Sequence, residues 1–175
     1  MKNSNFLAYI AGFIDADGSI YVRLKPNSQY RYDFQVSPSI VLYQKSTEQV
    51  FLKRLQDKLK MGYLRIRNDG MIEYTIGDRE SIRKLMNLTM PYLMLKKKQA
   101  KLILRVLDKS KTVKSANDFV KLAELIDKFG SLNYSKRRII NARVVRNHLK
   151  NKGLLTPQRL VYLTNIRNCP LWRDD

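Results

Sequence analysis

Two acids stand one residue apart in Asp15-Ala16-Asp17-Gly18, directly after an apolar run, in a pattern suited to holding a cation. Carboxylate and backbone carbonyl oxygens are the ligands that Mg²⁺ takes while keeping several of its waters. The run from Asn5 to Ile14 carries Phe6, Leu7, Ile10, Phe13 and Ile14 at helical spacing, with Asn3, Ser4 and Asn5 as candidate caps. Both acids therefore fall at the C-terminal end of a helix, where the macrodipole disfavours negative charge by about 0.3 to 1 kcal/mol each. A compensating cation is expected. The same D-x-D pattern opens a calcium-binding EF-hand loop, but counting from Asp15 the sixth position is Ile20 instead of Gly and the twelfth is Pro26 instead of Glu. An acidic turn that caps a neighbouring helix is the structural alternative.

Composition narrows the partner. The 34 Lys and Arg against 15 Asp and Glu give a net charge of +19 over 175 residues, and neutralising phosphates releases counterions, so nucleic acid is the default ligand. No apolar run approaches the roughly 20 residues of a spanning helix, and the basic residues are spread along the chain, which argues against a membrane partner. The start, MKNSNFLAYIAGF, is a poor secretory signal and reads as structure. Cys169 and His148 are the only residues of their types, which excludes an intramolecular disulfide and a Cys/His zinc cluster. Any metal must be held mainly by oxygen, and His148 is expected at a surface or cap.

The elements that position the acids follow from periodicity. After Gly18 the period becomes two: Ile20, Val22 and Leu24 alternate with Tyr21, Arg23 and Lys25 up to a turn at Pro26, Asn27 and Ser28. A second strand is predicted over about 32–43, with Phe34, Val36, Pro38, Ile40 and Leu42 on one face and Gln35, Ser37, Ser39, Val41 and Tyr43 on the other. Pro38 cannot donate to a ladder and predicts an edge or a bulge. Ser46 with Gln49 has a capping-box signature before a helix with Phe51, Leu52, Leu55 and Leu59. A second hairpin turns at Asn68-Asp69-Gly70, with Leu64 and Ile66 opposite to Tyr63, Arg65 and Arg67, and Ile72, Tyr74 and Ile76 alternating with Glu73 and Thr75. Asp78 caps a helix to about Asn87, Pro91 interrupts, Lys96 to about Lys109 is helical, and Ser115 or Asn117 starts another helix. Residues 131–150 are basic, with Lys136, Arg137, Arg138, Arg143, Arg146 and Lys150. This is an α+β order, helix-hairpin-helix-hairpin-helices, with one antiparallel four-stranded sheet. The folded domain is expected over 1–150, with 151–175 an extension of unassigned role.

The segment Tyr9-Ile10-Ala11-Gly12-Phe13-Ile14-Asp15-Ala16-Asp17-Gly18 resembles the LAGLIDADG motif of homing endonucleases. The strand from Ser19 to Lys25, Leu42-Tyr43-Gln44-Lys45, the hairpin from Gly62 to Ile76, and Pro91-Tyr92-Leu93 with Lys96-Lys97-Lys98-Gln99-Ala100 extend the resemblance to single-motif, homodimeric members from organelle introns, over about the first 150 residues. The resemblance implies that motif helices of two subunits pack on a two-fold axis through Ala8, Tyr9, Ala11, Gly12 and Phe13. It further implies that Asp17 and the carbonyl of Ala16 ligate Mg²⁺, with Mn²⁺ a substitute and Ca²⁺ bound without supporting cleavage. Gln44 matches a water-organising residue and Lys98 a basic residue near the scissile phosphate. Where relatives carry a further basic residue this chain has Glu48, with Lys45 or Lys96 as candidate substitutes. An organelle location is implied by the resemblance alone, and no protein cofactor is expected.

The polar strand faces, Tyr21, Arg23, Lys25, Gln35, Ser37, Ser39, Arg65, Arg67, Glu73 and Thr75, are the expected DNA-reading surface. Arg pairs with guanine, Gln with adenine and Glu with cytosine, and a β-ribbon fits the major groove. A solvated sheet face would also be polar. Arg137, Arg138 and Lys150 are expected to touch phosphate and set affinity without reading sequence. An intron maturase that binds RNA, and a non-catalytic DNA-binding regulator for which Glu48 is the hint, remain as alternatives on the same scaffold.

Overall fold

The structure, a computed structural model, describes residues 4–133 and 139–155. Helix α1 (Ser4–Asp17) runs without a break into strand β1 (Gly18–Pro26), which returns as β2 (Phe34–Lys45). Gly18 makes that junction sharp. A Cβ there would lie 2.6 Å from the carbonyl oxygen of Ile14, so no larger residue fits without moving backbone. A 3-10 turn (Ser46–Glu48), helix α2 (Gln49–Leu59) and the hairpin β3 (Tyr63–Ile66) and β4 (Met71–Ile76) follow. Helices α3 (Arg79–Thr89), α4 (Lys97–Lys111), α5 (Ala116–Asp127), the single turn α6 (Phe129–Leu132) and α7 (Ala142–Asn151) complete the order.

The four strands form one antiparallel sheet in the order β1-β2-β4-β3. Alternation decides its two faces. Ile20, Val22, Leu24, Phe34, Val36, Ile40, Leu42, Ile72, Tyr74 and Ile76 are buried with residues of α1, α3, α4 and α5 in one core, and the opposite face carries the polar positions. Pro38 pairs in register with Val22, without a bulge. It lies beyond the last β2–β4 pair, Ile40 with Ile76, so on that flank β2 is locally an edge, as a residue without an N–H requires. Tyr74 spans the core and donates its hydroxyl to the Met61 carbonyl at 2.6 Å; burial pushes that phenol up to about 12.

The helix caps divide. Asp78 accepts the Ser81 N–H at 2.7 Å, and Ser115 forms a full capping box with Asp118. The box expected of Ser46 and Gln49 does not form, because the 3-10 turn separates them and places Glu48 at the N-cap of α2. Ile66, expected opposite to the arginines, is 58% exposed: β3 is the outer strand, and the core does not extend beneath its end. Helix α7 lies within the stretch read only as basic. Asn141 caps it by accepting the Val144 N–H, and Ala142, Val145 and Leu149 are buried. No helix among the described residues is long and apolar enough to cross a membrane.

Candidate catalytic centre and nucleic-acid interface

The two motif acids have separate tasks. Asp15 faces the turn before α4, where its Oδ2 accepts the backbone N–H groups of Met94 (2.6 Å) and Leu95 (3.1 Å) and its Oδ1 that of Lys96 (2.8 Å). A carboxylate so placed satisfies the donors that precede a helix. Asp17 is exposed at the end of α1 and accepts Nε2 of Gln44 at 2.9 Å. The pairing of Gly18 with Leu42 places Gln44 beside it. Of the two acids that the helix dipole disfavours, one serves as the structural cap and the other stays exposed with a single side-chain donor.

The compensating charge is a lysine. Lys96 extends its ammonium to the last carbonyls of α1, 2.9 Å from Ile14 O, 2.5 Å from Asp15 O and 3.4 Å from Ala16 O, where the dipole favours a cation. Burial lowers its pKa, and the charges of Asp15 and Asp17 oppose that shift. Lys98, expected near the scissile phosphate, is exposed in the first turn of α4, while Lys96, two residues earlier and one of the candidate substitutes, reaches the motif. Lys45 is exposed at the end of β2, and Glu48 is exposed with its carboxylate 3.4 Å from the Thr47 hydroxyl.

Among the described residues no cluster of three or more His, Cys, Asp or Glu is placed to enclose a metal. Asp17 and the Ala16 carbonyl nevertheless fit a hard cation. The two residues are exposed and consecutive, both offer oxygen donors, and the lysine contact to Ala16 O is the longest of the three. Such a donor pair leaves most of the coordination shell to water, phosphate and any second subunit.

The polar sheet face is concave and encloses about 770 Å³. Register places Lys25 opposite Gln35, Arg23 opposite Ser37 and Tyr21 opposite Ser39 on one side, and Arg65 opposite Glu73 and Tyr63 opposite Thr75 on the other. Glu73 organises its half, accepting from Arg65 at 3.1 Å and Arg67 at 2.9 Å, while Arg67 also grips Asp69 at 2.7 Å. Arg23 lies over the Tyr21 ring at 4.6 Å. Gln35, Ser37 and Ser39 are half-buried on this face; Thr75 is on it but only 9% exposed, so it forms floor more than contact surface. Val41, Tyr43, Tyr63, Ile66, Asn68 and Asp69 also line the concavity. Alternation already placed Val41 and Tyr43 there, and their apolar or aromatic character hid them. Arg137 and Arg138 lie outside the described residues.

A LAGLIDADG endonuclease family model matches residues 10–105. The chain belongs to this family. It is 34% identical over 145 residues to the DNA endonuclease I-CreI of Chlamydomonas reinhardtii, covering 82% of this chain and 88% of that protein. It is 36% identical over 158 residues to the DNA endonuclease I-CvuI of Chlorella vulgaris, covering 87% and 98%. The solved structure of I-CvuI in complex with the I-CreI target, in the presence of Mg and with DNA not cleaved, superposes with a TM-score of 0.82, covering 87% of this chain and 97% of that one. An archaeal intron-encoded homing endonuclease, I-Vdi141I, complexed with DNA, has a TM-score of 0.76 at 19% identity and shares the fold.

Within this LAGLIDADG fold, the motif helix has an exposed side and a buried one. Ala8, Tyr9 and Gly12 are exposed, Tyr9 by 55%, and Phe13 is half-buried, its ring packed with those of Tyr9 and Phe51 at 6.5 and 5.6 Å. Ala11 is corrected: it has no accessible surface because it faces its own core beside Ile10 and Ile14, and it cannot touch a partner helix. A Cβ added to Gly12 would meet nothing within 4 Å. Glycine inside a helix costs about 1 kcal/mol relative to alanine, and nothing in the subunit itself requires it there.

Proposed function

We propose that this protein is a homodimeric, site-specific homing endonuclease that binds a long, pseudo-palindromic duplex and hydrolyses one phosphodiester on each strand near its centre. The observation that carries the reading is the junction of the two surfaces: β1 leads from Asp17, the last residue of α1, directly into the arginine-bearing concavity, so cutting and reading groups lie on one continuous stretch of chain. The relatives I-CreI and I-CvuI are named DNA endonucleases, and I-CvuI binds DNA targets. Two copies of the open face of α1, packed about a two-fold axis, bring two Asp17 residues to the middle of the site and give each half-site one saddle.

Phosphodiester hydrolysis needs an aligned water, stabilised charge on the phosphoryl oxygens and a proton for the leaving oxygen. Asp17 and the Ala16 carbonyl would hold a divalent ion, which when bound would supply Lewis-acid stabilisation and a water of lowered pKa. Mg²⁺ is the ion that the oxygen ligands favour, with Mn²⁺ as a substitute and Ca²⁺ supporting binding alone. Gln44, already bonded to Asp17, orients that carboxylate and the hydrating waters. Lys96 places positive charge at the end of α1 and limits the build-up of negative charge between the acids and the phosphate. The concavity aligns the duplex through Arg65 and Arg67, which Glu73 holds in place, and major-groove contacts specify sequence. An origin in an organelle intron accords with the relatives from two green algae.

A non-cleaving DNA-binding regulator is the second reading, favoured by the acid Glu48 in the turn that follows Gln44. The deciding experiment incubates Mg²⁺ and the full chain with plasmids carrying candidate intron-insertion sequences, beside an Asp17→Asn protein and an EDTA control. Discrete double-strand cuts that vanish in both controls are expected. Specific binding without any cutting moves the assignment to the regulator.

A further inference from the structure

The loop that joins β1 to β2 is held from the other end of the chain. The Asn27 N–H donates to the Asp33 carbonyl at 2.8 Å and the Asp33 N–H to the Tyr30 carbonyl at 2.8 Å, closing residues 27–33 into a compact turn. Asp33 has a φ of 58°, the left-handed region that non-glycine residues rarely enter. Its carboxylate Oδ2 meets Nε2 of His148 at 2.6 Å and the ammonium of Lys152, respectively in α7 and one residue past its end. The His148 ring stands edge-on to Phe34 at 5.2 Å, at the start of β2.

These contacts are not needed to seat the helix. Ala142, Val145 and Leu149 already bury its apolar side, Asn141 caps it, and Arg146 pairs with Glu124 at 2.6 Å. The clamp therefore acts on the loop. The nine residues of β1 carry that loop about 30 Å from Asp17, roughly nine base-pair steps along a duplex. The loop joins Lys25 and Pro26 to Phe34 and Gln35 at the end of the reading face; within it Tyr30 is 43% exposed, and the exposed Arg31 lies over the Tyr32 ring at 5.3 Å.

We propose that His148 and Lys152 are positioning residues for sequence readout: through Asp33 they fix the 27–33 loop in the conformation that reads the outermost base pairs of each half-site. The proposal rests on the assignment of the concave sheet face to duplex DNA. Through this clamp, discrimination at the ends of the site depends on residues that touch no base.

The test compares the wild type with His148→Phe/Lys152→Gln and with Lys152→Arg, all as full-length protein. Amide hydrogen exchange of the free proteins is expected to speed up about tenfold at Asn27 and Asp33 in the double variant and to stay unchanged in the middle of α7. Selection from a randomised duplex pool in Ca²⁺ then reads base preference position by position. The double variant is expected to lose preference at the outer positions and to keep it at the inner ones, and Lys152→Arg to retain both. Unchanged exchange at the loop overturns the clamp. Preference lost evenly along the site, with a lowered melting temperature, reduces the two residues to structural roles and also overturns the proposal. A wild type that enriches no sequence defeats the DNA-reading assignment, while the exchange measurement still decides the clamp.

Discussion

Asp15 and Lys96 bind each other twice without a direct ion pair: the carboxylate accepts the lysine's backbone N–H at 2.8 Å, and the ammonium returns to the aspartate's carbonyl at 2.5 Å. This reciprocal contact ties the end of α1 to the start of α4 and fixes the direction in which Asp17 leaves the helix. Asp15→Ala removes a charged acceptor from three backbone N–H groups and is expected to destabilise the fold by about 2 kcal/mol. Asp17→Asn, at an exposed position with one hydrogen bond from Gln44, is expected to change stability by less than about 0.5 kcal/mol while abolishing cleavage. Urea unfolding beside a cleavage assay separates the two acids; equal stability losses would remove the division of labour.

The three consecutive lysines 96–98 provide a comparison with an internal control. Only Lys96 turns back to the helix end, so Lys96→Met is expected to reduce single-turnover cleavage by about a hundredfold, the range for loss of a preorganised charge at a reacting phosphate. Lys98→Met is expected to stay within about threefold. Both are measured on the same duplex at saturating enzyme. A larger loss at Lys98 would give the basic role to that residue instead of Lys96.

The Asp33 clamp sets an acid-side dependence of stability. Hydrogen bonds from Lys152 and then His148 hold the Asp33 carboxyl below its usual value of 3.8. A group depressed in the folded state binds fewer protons folded than unfolded, so its contribution is complete above the unfolded pKa and is lost as pH falls through the folded one. The wild type is thus expected to lose stability below about pH 4 more steeply than Asp33→Asn, which has no such group to protonate. Thermal melts across pH 2–6, fitted to proton uptake on unfolding, test this; parallel curves for the two proteins would contradict it.

Much of the fold was legible because its signals are local. Alternation over Ile20, Val22 and Leu24 and over Phe34 to Leu42 determined both faces of the central ribbon, and the structure buries Ile20, Val22, Leu24, Phe34, Val36, Ile40 and Leu42 on one of them. The centre was legible in part. The motif pointed to Asp17 and the wider resemblance to Gln44, and the structure brings these two side chains to 2.9 Å; adjacent lysines, however, differ by only about 100° around a helix, and tertiary placement alone decides which one reaches back to the carbonyls. Helix α7 was hidden because its apolar positions are few, Val145 and Leu149 among basic residues. The side of α1 that Ala11 faces was illegible for the opposite reason. A helix apolar nearly all round does not distinguish its own core from a partner's surface.

That last ambiguity yields a prediction of opposite signs for one substitution. Position 12 is open in the subunit, with nothing within 4 Å of an added Cβ, so Gly12→Leu creates no clash there and replaces a poor helix former with a good one. The isolated subunit is expected to gain up to about 1 kcal/mol of stability. In a dimer packed through this face, the same side chain stands where two helix backbones must approach closely, and association is expected to fail. Sedimentation velocity at micromolar concentration should then show a monomer with an unchanged circular dichroism spectrum, and double-strand cleavage should disappear with the second Asp17. A Gly12→Leu protein that sediments as a dimer and cuts both strands would place the two-fold axis on some other surface.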